Sequence, residues 1–183
     1  EIDSITKICI NIQDNTEIDL EILTHHTFIE ELIIHMYKEN EFSIPNLENF
    51  TSLKTLKIYS YDYLDEGLHA RHYVNMPPYK PDLSFIKGCH SIKNLIIRTY
   101  GNLSIIDLPD ISKNIEVFDV YGDIAFIDLK PFEFSNIRSL SIDCVSGTVN
   151  LVPLASCRQL KKICIFTEAN KLVNGYIFTD RLS

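Results

Sequence analysis

One spacing of apolar residues recurs along the chain: an apolar residue is followed three positions later by a second, and two positions after that by a third. Seven segments share this spacing, namely Ile5, Ile8 and Ile10; Ile29, Leu32 and Ile34; Leu53, Leu56 and Ile58; Ile92, Leu95 and Ile97; Ile115, Phe118 and Val120; Ile137, Leu140 and Ile142; Leu160, Ile163 and Ile165. The segments begin 22 to 24 residues apart, except for one step of 39 residues. A fixed period in the low twenties predicts a solenoid, in which each unit stacks on its neighbours.

Each segment predicts a short strand that is followed by a return leg. In the third segment, the apolar residues Leu56 and Ile58 alternate with the polar residues Thr55 and Lys57. Alternation with a period of two is typical of a strand that buries one face. A second set of apolar residues then brings the chain back to the next strand. A leg this short holds a few turns of 3₁₀ or irregular helix rather than a long α-helix.

A short polar residue stands immediately before each return leg. These residues are Asp19, Ser43, Asp82, Asp107, Asp128 and Asn150. Their side chains can accept a hydrogen bond from a backbone N–H two or three residues later, as in an Asx turn or a helix N-cap. The column therefore predicts turn formation rather than catalysis.

The two halves together resemble the leucine-rich repeat, from Ile5 to about Thr167. The strand half is similar to LxxLxL with Ile in many Leu positions, and the legs 127–132 and 149–154 are similar to the DLxPL leg of short, internalin-like repeats. The family usually places Asn three residues after the last apolar strand residue, where this chain has Gln13, Tyr37, Tyr61, Tyr100, Asp123, Val145 and Glu168. The resemblance implies a right-handed α/β leucine-rich-repeat solenoid of about seven repeats, with a curved parallel sheet on the concave side and short 3₁₀ or irregular legs on the convex side.

We expect one domain over residues 1–183, with an inserted rim loop at about 61–81 and a candidate C-terminal cap at 168–183, because a solenoid needs a cover at its ends. The chain opens at Glu1 in a strand pattern, without an initiator Met, a basic segment or an apolar segment. Any targeting signal is therefore expected to be absent or already removed. No N-terminal cap is visible in the sequence, so the first strand is expected to be an open edge that allows edge-to-edge self-association.

The composition narrows the class of protein. Apolar residues make up 45% of the 183 residues, but no stretch approaches the about 18 uninterrupted apolar residues that a membrane helix needs. The 25 acidic against 17 basic residues argue against a general nucleic-acid-binding protein, which needs a basic face. The five cysteines are odd in number and form no CxxC pair. They favour reduced, mostly buried thiols and an intracellular, cytoplasmic location, with secretion or delivery into a host cell as the alternative.

The outward strand residues are predicted to form columns across the sheet. One column reads Asn11, His35, Tyr59, Arg98, Tyr121, Asp143 and Phe166, and the column beside it includes Lys57 and Ile96. Aromatic and Arg side chains anchor protein interfaces, and Ile33, Met36 and Ile96 add apolar surface that a solvated sheet face does not need. We predict a partner-binding site at the centre of this face, formed by His35, Lys57, Tyr59, Ile96, Arg98 and Tyr121. The alternative is that these long side chains only shield the sheet.

The rim loop adds candidate binding residues of the same kind. Tyr61, Tyr63 and Tyr73 stand close together in the sequence, together with Arg71. Tyr provides a large contact area at a low cost in conformational entropy. We predict that the loop contributes to the partner-binding site; the alternative is a loop that only packs on its own rim.

The sequence carries no signature of catalysis or of a metal site. It lacks the GxSxG, Walker, HExxH and GxGxxG motifs. His69 and His72 stand three residues apart without an evident third ligand. His35 and Asp143 belong to predicted strands four repeats apart, about 20 Å at ~4.8 Å per strand, so they cannot share a proton. We expect no enzymatic activity, no metal and no cofactor.

The predicted function is therefore a non-catalytic protein-protein interaction module that binds a partner protein on its concave sheet face. The partner's identity does not follow from the fold, because repeat folds host many unrelated partners. Two alternatives stay open. The chain is the substrate-recognition or targeting part of a larger multidomain protein, such as a ubiquitin-ligase adaptor or a pathogen effector, or it is a self-assembling structural repeat.

Overall fold

The computed structural model describes residues 5–13, 28–37, 47–61, 86–103, 113–124, 126–144, 148–166 and 172–173. Ten strands lie within these ranges: β1 (Lys7–Gln13), β2 (Glu31–Tyr37), β3 (Thr55–Tyr61), β4 (Asn94–Leu103), β5 (Val117–Ile124), β6 (Phe126–Ile127), β7 (Ser139–Cys144), β8 (Thr148–Asn150), β9 (Lys162–Phe166) and β10 (Leu172–Val173). The main sheet has the order β1-β2-β3-β4-β5-β7-β9, and every neighbouring pair in it is parallel. The chain therefore forms a parallel β-solenoid, which confirms the solenoid that the apolar spacing predicts.

The repeated apolar residues point into one core. Five of them lie opposite one another in register on consecutive strands and are fully buried, namely Leu32, Leu56, Leu95, Phe118 and Leu140. Burial of one such side chain contributes about 1.5–3 kcal/mol relative to leaving it exposed. The Phe118 ring also lies 5.0 Å from the ring of Phe132, so the core joins the sheet to the return leg.

One backbone carbonyl before each strand ties that turn of the chain to the next. The Thr6 carbonyl accepts hydrogen bonds from the Glu30 and Glu31 N–H groups at 2.8 and 3.0 Å. Equivalent carbonyls each accept two N–H groups at 2.7–3.0 Å and belong to Glu30, Lys54, Lys93, Glu116 and Arg138. This ladder gives the N–H groups at the start of each of these strands a backbone acceptor on the preceding turn.

The step of 39 residues does not disturb the stacking. β3 pairs directly with β4, so that Leu56 lies opposite Leu95 and Ile58 lies opposite Ile97. The Lys54 carbonyl accepts the Lys93 N–H across the same step. The predicted rim loop lies outside the described residues after Tyr61, which is the last residue of β3.

The described return legs contain the predicted 3₁₀ helices, at Lys130–Phe132 and Val152–Ser156. The Asp128 Oδ1 atom accepts the Lys130 N–H at 2.8 Å, and the Asn150 Oδ1 atom accepts the Val152 N–H at 3.1 Å. These two bonds span two residues, as an Asx turn does, and confirm the predicted turn role for this pair. The four earlier members of that column lie outside the described residues.

A second, smaller parallel sheet was not expected from the sequence. It has the order β10-β8-β6, and it pairs Ile127 with Val149 and Val149 with Leu172. Ile127 and Val149 are buried. Strands of two or three residues are too short for alternation to reveal them, because a periodic pattern needs about four residues or more. β10 places Leu172–Val173, within the candidate C-terminal cap, on this sheet, while the rest of 168–183 lies outside the described residues.

Two details of the strands differ from the expected repeat. Met36 is only 5% exposed and belongs to the core, so its assignment to the outward face was wrong. Its position has the parity of Leu32 and Ile34, and alternation therefore turns it inward. β4 is also longer than expected, at ten residues, and its register against β5 shifts between Arg98 and Asn102.

Four cysteines are free thiols: Cys89 and Cys157 are buried, Cys164 is half-buried and Cys9 is exposed. Cys89 and Cys157 occupy equivalent places, because their Sγ atoms face the Phe50 and Phe132 carbonyl oxygens of the preceding turn at 3.8 and 3.1 Å. Burial raises the pKa of the Cys89 thiol above its ordinary value, which keeps it in the unreactive protonated form. None of the helices in the described ranges is long and apolar enough to cross a membrane.

Candidate functional site

The candidate site is the outward side of the main sheet, which we call the open face. Its side chains come from alternate strand positions, because the intervening residues fill the core. The register places the predicted third column in one row: Asn11, His35, Tyr59, Arg98, Tyr121, Asp143 and Phe166. The second row places Lys57 beside Ile96, between Ile33 and Asp119. The strand register thus brings all six predicted central residues onto one surface.

The centre of the open face is aromatic. The rings of His35 and Tyr59 stack at a centroid distance of 5.0 Å with an interplanar angle of 21°. Arg98 follows Tyr59 in the row, and Tyr121 follows Arg98. Tyr121 is 44% exposed. An aromatic ring gains stability when another group packs against it, so this exposed ring is available for contact with a partner. This part of the face presents planar side chains that a partner could cover without displacing the core.

A charged cluster borders the aromatic row on β1, β2 and β3. Glu31 lies between two lysines, with Lys57 Nζ 2.7 Å from Oε1 and Lys7 Nζ 3.4 Å from Oε2. The Oε1 atom is buried, and its contact with Lys57 is a close ion pair without the alignment of a full hydrogen bond. The Lys57 ammonium lowers the pKa of Glu31, and Glu31 in turn raises the pKa of Lys57. The cluster holds Lys57 in a fixed position at the border of the aromatic row.

Arg98 is also held within the face. Its Nη2 atom lies 3.0 Å from the Asp119 Oδ2 atom on the neighbouring strand. The Arg98 side chain nevertheless keeps about half of its surface exposed (51%). Exposed pairs of this kind contribute about 0–1 kcal/mol to stability, so their main effect here is to orient the guanidinium group. An oriented guanidinium loses little conformational entropy when it binds a partner.

The structure adds one aromatic residue that the predicted site omits. Phe166 ends the same row on β9 and is 61% exposed. It is separated from Tyr121 by Asp143. Its place in the column was visible in the sequence, but its exposure was not, because exposure at the end of a row depends on what packs against the last strand.

The rim-loop residues of the predicted site cannot be compared in the same way. Tyr61 is the last residue of β3, paired in register with Tyr37. Tyr63, Arg71 and Tyr73 lie outside the described residues. Their proposed contribution to the site stays a prediction.

The described residues do not assemble a metal site, and they do not bring His35 and Asp143 together. No group of three or more His, Cys, Asp or Glu side chains within them could hold a metal ion. His35 is on β2 and Asp143 is on β7, with β3, β4 and β5 between them. The open face therefore offers contact surface, hydrogen-bonding groups and fixed charges in the described part of the chain.

Two comparisons of the sequence with known proteins give no match. No protein-family model matches the chain, and a search of curated proteins finds no match. The function is therefore inferred from the residues and geometry of the open face.

Proposed function

We propose that the chain is a leucine-rich-repeat solenoid of about seven repeats that binds a partner protein on its open face, without catalysis. The parallel register of the main sheet and the 3₁₀ legs that follow Asx turns support this type of repeat. In this proposal the open face is the concave side of a curved sheet. The buried free thiols of Cys89 and Cys157 support an intracellular setting.

The observation that carries the proposal is the row of aromatic and Arg side chains across the open face. A sheet face that only meets water needs polar residues, whereas this row combines the His35–Tyr59 stack with the exposed Tyr121 and Phe166 rings. Aromatic residues and Arg are the residue types enriched where interfaces lose most affinity on truncation. The apolar neighbours Ile33 and Ile96 extend the contact surface in the adjacent row.

Preorganisation is the proposed mechanism of binding. The strands fix the backbone of every anchor, the ion pairs fix Lys57 and Arg98, and stacking fixes the ring of His35. The side chains of the solenoid are already in place before binding. The conformational entropy lost on binding is therefore mainly that of the partner.

Single substitutions on the open face test this proposal. His35→Ala, Tyr59→Ala, Arg98→Ala and Tyr121→Ala should each weaken partner binding about fivefold or more, since truncation of an interface anchor costs about 1 kcal/mol or more. Their melting temperatures should stay close to that of the unchanged chain, because these side chains lie outside the core. Calorimetric or optical titration with the purified partner measures the first effect, and thermal unfolding measures the second.

The partner itself can be found with a matched pair of variants. Lysate of the source cells is passed over the unchanged chain, over an Arg98→Glu/Tyr121→Ala variant and over a Lys130→Glu control, and the bound proteins are quantified by mass spectrometry. Lys130 is an exposed cation on a return leg. The partner should be lost on the open-face variant and kept on the control. Retention on both variants would move the binding surface away from the open face.

The other predicted functions remain predictions. Neither a role as a targeting part of a larger protein nor self-assembly through the sheet edges is favoured by a particular contact in the described residues.

A further inference from the structure

Phe134 combines an unfavourable backbone with an exposed ring, at the turn between the Lys130–Phe132 leg and β7. Its φ angle is +60°, and its side chain is 77% exposed. Side chains other than those of Gly, Asn and Asp rarely adopt this left-handed conformation, because the Cβ atom crowds the following carbonyl oxygen. A large apolar residue at this position is therefore favoured neither by the backbone nor by the core.

An earlier turn shows what this position requires. Gly88 also has a positive φ angle, +88°. The N–H of the next residue, Cys89, donates a hydrogen bond to the Ile86 carbonyl. The residue after Phe134 makes the same bond, from the Ser135 N–H to the Phe132 carbonyl. Gly88 and Phe134 thus occupy equivalent turns, and Gly is the residue that this conformation suits.

The ring of Phe134 forms one side of a groove of about 450 Å³. The other lining residues are Ser135, Asn136, Ala155, Ser156, Arg158 and Gln159. The Phe134 N–H is donated to the Ser156 Oγ atom at 2.8 Å, and that hydroxyl is donated to the Pro153 carbonyl at 2.9 Å. The next leg therefore holds the strained turn in place.

The remaining polar groups of the groove are fixed by neighbouring turns. The Gln159 Nε2 atom donates to the Asn136 Oδ1 atom at 3.3 Å, and the Gln159 Oε1 atom accepts from the Arg138 Nε atom at 3.3 Å. Arg158 is exposed, as Arg138 is, but unlike Arg138 it has no hydrogen-bond or ion-pair partner within the described part of the chain. Among the described residues, the groove thus presents one cation without a counter-charge, Arg158, beside one exposed ring, Phe134.

We propose that this groove is a second binding site, separate from the open face, for a peptide segment that carries a carboxylate side chain next to a large apolar side chain. The Arg158 guanidinium supplies the planar pair of donors that a carboxylate accepts. The Phe134 ring supplies an apolar wall that the neighbouring side chain covers. Charge complementarity selects the acidic residue, since none of the described residues supplies a counter-charge to Arg158.

A random heptapeptide library displayed on phage tests the site with a defined probe. The library is selected on the unchanged chain and counter-selected on a Phe134→Asn/Arg158→Gln variant, so that only groove-dependent peptides remain. Those peptides should carry Asp or Glu within two positions of an aromatic or large aliphatic residue. A synthetic peptide of the selected sequence should bind Arg158→Gln about tenfold more weakly than the unchanged chain, while Arg158→Lys should recover part of the affinity.

Controls separate this site from a folding defect and from the open face. Phe134→Asn should melt no lower than the unchanged chain, because Asn accepts a positive φ angle, yet it should lose the peptide. Lys87→Gln, an exposed cation on an earlier turn, and Tyr121→Ala on the open face should bind the peptide with unchanged affinity. Selection that retains no peptide, retains peptides without an acidic residue, or yields peptides that bind Arg158→Gln equally well would overturn the proposal.

Discussion

Glu31 is the residue whose ionisation is most clearly coupled to its neighbours on the open face. Two lysines approach its carboxylate, and the closer of them, Lys57, is the main cause of its lowered pKa. Its carboxyl group therefore binds a proton less readily in the folded chain than in the unfolded chain. Linkage then requires the folded state to lose stability when this group is protonated.

The charged cluster predicts a pH-dependent cost for one substitution. Glu31→Gln should cost about 0.5–1 kcal/mol at neutral pH, where the carboxylate is ionised and paired. The stabilising effect of Glu31 is fully present above the ordinary value of 4.5 for a Glu carboxyl and is lost as the pH falls through the lowered folded pKa. Urea unfolding of both chains at neutral pH and at several acidic pH values below 4.5 measures the difference, which should shrink as the pH falls.

A second background identifies the source of this effect. In a Lys57→Met chain, Glu31→Gln should show a smaller cost and a weaker pH dependence, because the main cause of the pKa shift is gone. An equal cost in both backgrounds would mean that the Lys57 contact does not stabilise the folded state.

At this scale the sequence identified which residues share the open face but not how they interact. Alternation assigns Tyr59, Arg98 and Tyr121 to one side, and the register confirms their row. The ion pair of Arg98 with Asp119 depends on side-chain rotamers that no periodicity encodes. The prediction for Met36 was wrong for a different reason. Met36 was assigned to the open face because of its residue type, but its position in the alternating strand turns it toward the core.

Among the elements, the return legs depend on a single side-chain acceptor at their start. Asp128 and Asn150 each accept an N–H from the residue two positions later, and each is followed by a 3₁₀ helix with Pro near its first position. The Pro residue presets a suitable φ angle and has no N–H to satisfy at the start of the helix. The polar acceptor and the Pro together define where each leg begins.

These turns predict a stability difference between two substitutions at one position. Asp128→Ala should lower the free energy of unfolding by about 1 kcal/mol, because it leaves the Lys130 N–H without its acceptor. Asp128→Asn should stay near the unchanged chain, since Asn150 makes the same bond in the next turn. Chemical denaturation measures both values. Equal stability of the Ala and Asn variants would show that the Asx bond contributes nothing.

The elements themselves were predictable in proportion to their length. Strands of five residues or more repeat a pattern often enough to be recognised, and each strand of the main sheet lies on one of the seven segments. The smaller sheet escaped prediction because β6, β8 and β10 have only two or three residues. The shift in the register of β4 against β5 depends on the pairing of Asn102 with Asp123. The residue pattern of a single strand carries no information about such pairing.

For the whole molecule, the stacked order of the main sheet means that stability is shared between neighbouring turns. Solenoids gain stability from each unit and from each interface between units, so a residue with a turn on both sides contributes more than one at the edge. Leu95 is fully buried between β3 and β5, whereas Ile165 on β9 is only partly buried.

This difference predicts a gradient in the cost of truncation. Leu95→Ala should cost about 2–5 kcal/mol, because it leaves a cavity in a closely packed row. Ile165→Ala should cost roughly half as much or less, since part of that side chain is already in contact with water. Denaturant unfolding of the two variants tests the gradient, with the β3 and β9 amides as local probes in hydrogen exchange. A larger loss from Ile165→Ala than from Leu95→Ala would contradict the shared-stability picture.

The candidate surfaces were predictable only in part at this scale. The row on the open face follows from strand alternation and a constant register, both of which the sequence contains. The groove beside Phe134 does not, because it forms between two return legs and depends on a positive φ angle at a residue that rarely adopts one. Exposed charges such as Arg158 also give no sequence signal of whether a counter-charge lies nearby.

The direct pairing of β3 with β4 shows that the position of a strand in the sheet does not depend on the length of the chain segment that precedes it. Strands whose segments begin 39 residues apart align in the same way as those separated by 22 to 24. The entropic cost of loop closure grows slowly with loop length, by about 0.6 kcal/mol for each doubling. Extra sequence at this junction therefore lowers the stability of the fold only slightly. Insertions between β3 and β4 should therefore be tolerated during evolution, and the sequence of the inserted segment should be free to vary. In the laboratory, the same junction is the natural place to graft a reporter or an epitope while the open face keeps its geometry.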